Sequence, residues 1–164
     1  MKRVVTKIGD VFSVKLDDNR TKYFQLVAFD LSQLNSDVIR AFKTVYPLDE
    51  KPNLSEIVNG EVEFYAHCGA SIGVKLLLWE KVGHVSELGD TSKILFRNSN
   101  DCGNGKPYFK STDWYVWHIN EDFKYVGKLK GENRKAEIGI VVSPYGIVDR
   151  IKTGKYNIAY PIFE

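Results

Sequence analysis

Gly9-Asp10-Val11-Phe12-Ser13-Val14-Lys15-Leu16, then the polar run Asp17-Asp18-Asn19-Arg20-Thr21-Lys22, then Tyr23-Phe24-Gln25-Leu26-Val27-Ala28-Phe29: this stretch decides the fold. Phe12, Val14 and Leu16 recur at every second position with Ser13 and Lys15 between them, the period of a strand with one buried face. The charged run 17–22 suits a solvent-facing hairpin connection. Gly9 supplies a backbone free to take positive φ, and the Asp10 carboxylate can cap nearby amides. The chain therefore opens on an antiparallel hairpin.

Further β structure follows. Residues 37–46 carry apolar side chains on both sides and predict a central or doubly covered strand ending at Pro47. Asn53 is placed to cap a short helix over residues 54–59, with Glu56 three positions on and Gly60 past the end. Residues 61–68 alternate Val62, Phe64 and Ala66 against Glu61, Glu63 and Tyr65. A short helix from Ala70 to about Leu76 and a strand through Trp79 to Val82 come next, then a strand over 94–97. In 114–119, Trp114, Val116 and His118 face one way and Tyr115, Trp117 and Ile119 the other. Such a strand is either central or shows one aromatic face to a partner. Phe123 to Gly127 returns as its hairpin mate. Ser143-Pro144 marks a helix start whose buried stripe is Ile147, Val148 and Ile151, closed by Gly154, and residues 156–163 predict a final strand.

The fold expected is α+β: a strongly twisted, mainly antiparallel β-sheet, curling towards a half-barrel, with two or three short helices. At 164 residues and 43% hydrophobic, the chain reads as one domain, 1–164, with enough apolar material for a core.

Composition narrows the function classes. A net charge of +2 is too small to imply nucleic acid, which needs concentrated Lys and Arg. The local exception is 124–135, where Lys124, Lys128, Lys130, Arg134 and Lys135 stand near Phe123 and Tyr125, a pattern resembling a basic stripe with stacking rings. Glu121, Asp122 and Glu132 interrupt it, so a nucleic-acid-binding module is a minor alternative. No stretch approaches the roughly 18–20 apolar residues of a membrane span. The basic start Met1-Lys2-Arg3 lacks the apolar run of a signal peptide, so a cytoplasmic location is expected, with Cys68 and Cys102 as free thiols.

Chemistry-bearing residues are scattered. His67 and Cys68 are neighbours on a strand and point to opposite faces, so they are poorly placed to share an ion. With His84, His118 and Cys102 they match no zinc spacing. Asp10, Asp30 and Asp113 read as turn residues at strand ends. No phosphate-binding loop, nucleophile elbow or metalloprotease motif is present. No catalytic set, metal site or cofactor is expected, and binding is favoured over catalysis.

The opening Lys7-Ile8-Gly9-Asp10-Val11-Phe12 strand, the tyrosine-bearing second strand and Trp79-Glu80-Lys81-Val82-Gly83 together resemble the bacterial immunity protein 26 family. The similarity in organisation spans residues 7–127, with 128–164 as a helix and strand packed on that core. Phe24-Gln25 stands where the family pattern has a glycine. The resemblance implies a protein of polymorphic toxin systems that binds and neutralises a cognate toxin domain. It also implies a runner-up, a phosphotriester hydrolase, because the family classification embraces one. The expected partner-binding patch is the 98–113 loop and the aromatics beside it: Tyr108, Phe109, Asp113, Trp114 and Trp117. The sequence leaves oligomeric state and the toxin's identity open.

Overall fold

The computed structural model describes residues 2–101 and 110–163. Among the described residues, ten strands and three α-helices form an α+β fold with two sheets, neither closed into a barrel. The first sheet contains β1 (Asp10–Lys15), β2 (Arg20–Asp30), β3 (Ser36–Phe42), β4 (Tyr46–Pro47), β5 (Val62–His67) and β6 (Glu80–His84), in the antiparallel order β5-β3-β2-β1-β6 with β4 also on β2. The second contains β7 (Leu95–Ser99), β8 (Trp114–His118), β9 (Lys124–Gly127) and β10 (Glu137–Ile138), in the order β10-β7-β8-β9 with the β10-β7 pair parallel. A bridge between His67 and Val141 joins the end of β5 to the chain leaving β10.

The opening hairpin pairs Phe12 with Phe24 and Val14 with Lys22. Its connection is shorter than the polar run suggests. Arg20, Thr21 and Lys22 belong to β2: the Thr21 hydroxyl donates to the Val14 carbonyl at 2.9 Å, and Lys22 pairs with Glu63 at 3.1 Å. Polar residues enter the strand because each finds a partner there. Gly9 has φ of +103°, and an added β-carbon would fall 2.6 Å from the His84 ring, so glycine is required at this turn.

One face of the first sheet carries Phe12, Phe24, Leu26, Ile39, Phe64 and Cys68, covered by α2 (Ala70–Lys75) and α3 (Pro144–Thr153) through Ala70, Ile147 and Ile151. On the other face, α1 (Leu54–Val58) covers Val11, Tyr23 and Phe42, while the second sheet lays Phe96 and Trp117 on Val27, Ala28 and Val38. Between these clusters lies a polar belt: Arg40 donates to Gln25 Oε1 at 2.9 Å and to the Glu87 carbonyl at 3.0 Å. Both helix starts expected from side-chain caps are present. Asn53 Oδ1 accepts from Ser55 N, and the Ser143 hydroxyl accepts from Gly146 N ahead of Pro144 in the first turn.

Three expectations change. The strand over 37–46 breaks after Phe42, and the chain returns at Tyr46 to pair with β2, placing Tyr46 edge-on to Tyr23 at 5.5 Å. A bulge between Ala41 and Phe42 turns Val62 away from Phe64 and into the cluster under α1. Residues 156–163 add no full strand. They make one bridge, Lys110 to Ile162, and cover the outer side of the second sheet with Tyr160 and Phe163. Pro161, lacking an N–H, stands in the middle of that segment and cannot donate to a ladder.

Helix α2 ends with Leu77 at φ of +59°, 90% exposed. Leu77 N donates to the Val74 carbonyl and Leu78 N to the Gly73 carbonyl, the double closure of a helix whose next residue is normally glycine. Leucine here carries left-handed strain and gains no burial. Leu77→Gly is expected to raise stability by about 0.5–1 kcal/mol; a lower urea midpoint would show that the leucine side chain contributes to the fold.

Candidate functional site

The residues nominated from sequence have different fates. Trp114 and Trp117 are buried, so neither offers surface to a partner. They lie on opposite faces of β8, as alternation requires: Trp114 packs with Val116 and Leu129, and Trp117 with Phe96 against the first sheet. Of the two readings of this strand, the covered one holds. Tyr108, Phe109 and Cys102 fall outside the described residues. Asp113 is half-buried; it accepts from Asn100 Nδ2 at 3.1 Å and from the Tyr125 hydroxyl, a bond that holds the Tyr125 pKa above its usual value.

What the second sheet does expose is a ridge on β9. Phe123 and Tyr125 are 56% and 62% exposed. Tyr125 is registered opposite Tyr115, and Phe123 lies against Tyr115 with ring centroids 5.0 Å apart. Tyr115 stacks on Trp117 at 5.9 Å, and Trp117 on Phe96 at the same separation. One file of rings thus runs from the core between the sheets to solvent. In sequence, Phe123 and Tyr125 stand as stacking rings of the basic stripe. Their alternation placed them on one face, but nothing local said that this face outruns its cover.

A buried carboxylate holds the ridge in place. Asp30 accepts four hydrogen bonds: His67 Nε2 at 2.9 Å and Trp117 Nε1 at 3.0 Å on one oxygen, Asn120 N at 3.2 Å and Gln33 N at 3.3 Å on the other. Asn120 returns the contact by accepting from Leu31 N at 2.8 Å. The β2–β3 turn and the β8–β9 turn are therefore locked to each other, with Leu31, 70% exposed, beside the hairpin that carries Phe123 and Tyr125. Asn120 has φ of +62°, backbone that the reciprocal bonds hold in place. Burial alone would raise the Asp30 pKa, but its four donors outweigh burial and leave it below the ordinary value.

The other candidates for chemistry are separated. Asp10 is buried and bound by Lys7 N at 2.8 Å, Lys81 at 3.0 Å and His84 Nδ1 at 3.0 Å, which together hold its pKa down against burial. Cys68 is buried among apolar side chains, and burial pushes its thiol far above the ordinary value, an inert state for a nucleophile. His67 faces the second sheet and Cys68 the helices, as neighbours on a strand should. His118 Nδ1 bonds the Ile94 carbonyl at 2.8 Å; a carbonyl only accepts, so Nδ1 carries the proton and Nε2 of the neutral ring the lone pair. It lines a cleft of about 850 Å³ with Lys93, Glu121, Asp122 and Lys124. Among the described residues, no three His, Cys, Asp or Glu side chains gather where an ion would sit, and no helix is long and apolar enough to cross a membrane.

Compared with protein-family models, curated proteins and solved structures, the chain matches none of them.

Proposed function

We propose that this chain is a cytoplasmic immunity-type protein that binds a cognate bacterial toxin domain and neutralises it by covering its surface. The observation that carries this reading is the exposed pair Phe123 and Tyr125, seated on the half-buried Tyr115, with Leu31 presented beside it. Aromatic anchors inside a polar rim are the composition of an interface core, and Asp113, Glu121, Asp122 and Lys124 supply that rim. The lock through Asp30 and Asn120 fixes the hairpin before binding, so association loses little conformational entropy. The resemblance of the Gly9-Asp10-Val11-Phe12 strand to the immunity protein 26 family points the same way. The binding patch moves accordingly from the two buried tryptophans to the β9 ridge, with Asp113 retained at its border.

The test uses the toxin C-terminal domains encoded beside the chain's own gene as probes. A stable complex with one of them, and protection of cells producing both proteins, is expected. Phe123→Ala with Tyr125→Ala should weaken that complex by about 10- to 100-fold, the range for two central aromatic anchors, while the thermal midpoint stays near that of the parent. No complex and no protection with any such domain would overturn the function. Unchanged affinity in the folded double variant would overturn the ridge as its site.

A further inference from the structure

The first sheet has an open margin of its own. β6 is the last strand in the order β5-β3-β2-β1-β6, and its Glu80, Lys81 and Val82 are exposed. Against this margin lies a groove of about 330 Å³, walled by Leu48, Leu77, Leu78 and Val82. Leu77 is the anomaly. It is 90% exposed, on backbone at φ of +59° where glycine is the unstrained choice. Leu76 and Val82 are each 43% exposed, so three aliphatic side chains stand in water at one end of the sheet. Strain kept at such a residue is offset outside the chain's own fold or not at all. The rim of the groove carries Lys15, Lys51, Glu50 and Glu80, all exposed, and none of them makes an ion pair among the described residues. With both signs on the rim, a surface of one sign would be repelled by half of it. A second copy of this chain brings the same four charges. Rotated about a two-fold axis, its glutamates meet the lysines of the first copy and its lysines the glutamates, the condition for an isologous contact.

We propose that two copies of this chain dock groove to groove, each seating its Leu77 in the groove of the other. The groove is at the small end of ligand clefts, room for an aliphatic side chain and not for a folded segment. Burial across the dimer then supplies what Leu77 lacks in the monomer, and the left-handed leucine is kept because the contact needs its side chain. The ridge at Phe123 and Tyr125 belongs to the other sheet and takes no part.

Sedimentation velocity of the full chain from about 1 to 500 µM, the range in which modest dimers form, is expected to show monomer giving way to dimer. Leu77→Gly should weaken the dimer by about 10-fold or more, while the dilute monomer stays folded and at least as stable, because the strain has gone. The charges give the sharper test. Lys15→Glu with Lys51→Glu leaves an acidic rim, and Glu50→Lys with Glu80→Lys a basic one. Each of these variants alone should fail to dimerise, and an equimolar mixture of the two should restore the complex. All four side chains are exposed, so the monomers keep their core. A chain that is monomeric at every concentration would overturn the second copy as the occupant and leave the groove to a different protein. A dimer indifferent to Leu77→Gly, or charge variants that associate no better mixed than alone, would overturn the groove as the contact.

Discussion

Gly73→Ala is expected to destabilise the chain by about 3 kcal/mol, although alanine is the better helix former. A β-carbon at residue 73 would fall 2.0 Å from Trp79 Cζ2 and 2.1 Å from Cε2, well inside any tolerable contact. The indole cannot retreat. It is buried, its Nε1 donates to the Ala70 carbonyl at 2.8 Å, and its edge meets the Phe24 ring with centroids 5.0 Å apart. Helix propensity returns about 1 kcal/mol at most, whereas displacing a buried tryptophan forfeits several times that. The urea midpoint should fall accordingly. A second measurement separates packing from helix effects: in a Trp79→Leu background the same glycine change should be much less damaging, because the clashing ring has gone. Equal penalties in both backgrounds would mean that the clash is not what constrains Gly73.

The same glycine shows which parts of the architecture local pattern could reveal. Alternation in the first hairpin, the Asn53 and Ser143 caps, the glycine at the Gly9 turn and the opposite orientations of Trp114 and Trp117 are all set by neighbours within a few residues, and all were legible. The division into two sheets was not, because it depends on where the chain after β6 returns. The lock at Asp30 shows why most clearly. Strict alternation from Lys22, Phe24 and Leu26 would aim Asp30 at the helices. A bulge between Leu26 and Ala28 resets the strand, so Ala28 joins Val27 in the second-sheet cluster and Asp30 meets His67 and Trp117. One extra residue in a strand has no signature in composition or period. Burial of Trp114 was equally out of reach, since its cover comes from Tyr160 and Phe163, some 46 residues further on. The ridge at Phe123 and Tyr125 was legible as a pair of rings on one face. Its exposure was not, because exposure is fixed by what fails to pack there.

Removing that lock should produce the largest loss of all: Asp30→Ala is expected to destabilise by about 3–5 kcal/mol. It strands four donors, two of them on buried rings, and unties the β8–β9 turn that carries the ridge from the β2–β3 turn that braces it. The pH dependence follows from the same bonds. His67 is buried with no partner on Nδ1, and burial lowers its pKa, a pull only partly opposed by Asp30. A base whose folded pKa lies below its unfolded value keeps its full stabilisation above about pH 6.5. Below that, the unfolded chain takes up a proton that the folded chain refuses, and stability falls by up to about 1.4 kcal/mol per pH unit until the folded ring titrates. Asp30, held below its ordinary 3.8, adds a second loss as pH falls through its folded value. Asp37 and Glu137 act in the opposite sense, because burial raises both and the folded state then binds their protons more tightly. The parent's total curve therefore mixes signs, and the informative quantity is its difference from His67→Gln, which keeps an N–H for Asp30 and removes the titration. The parent should be the more stable at pH 7.5, with the gap closing as pH falls from 6.5 to 5.5. A gap that widens over that range would mean that His67 is already charged in the fold, joining Asp30 as a buried ion pair, and parallel curves would mean that folding leaves its pKa unshifted.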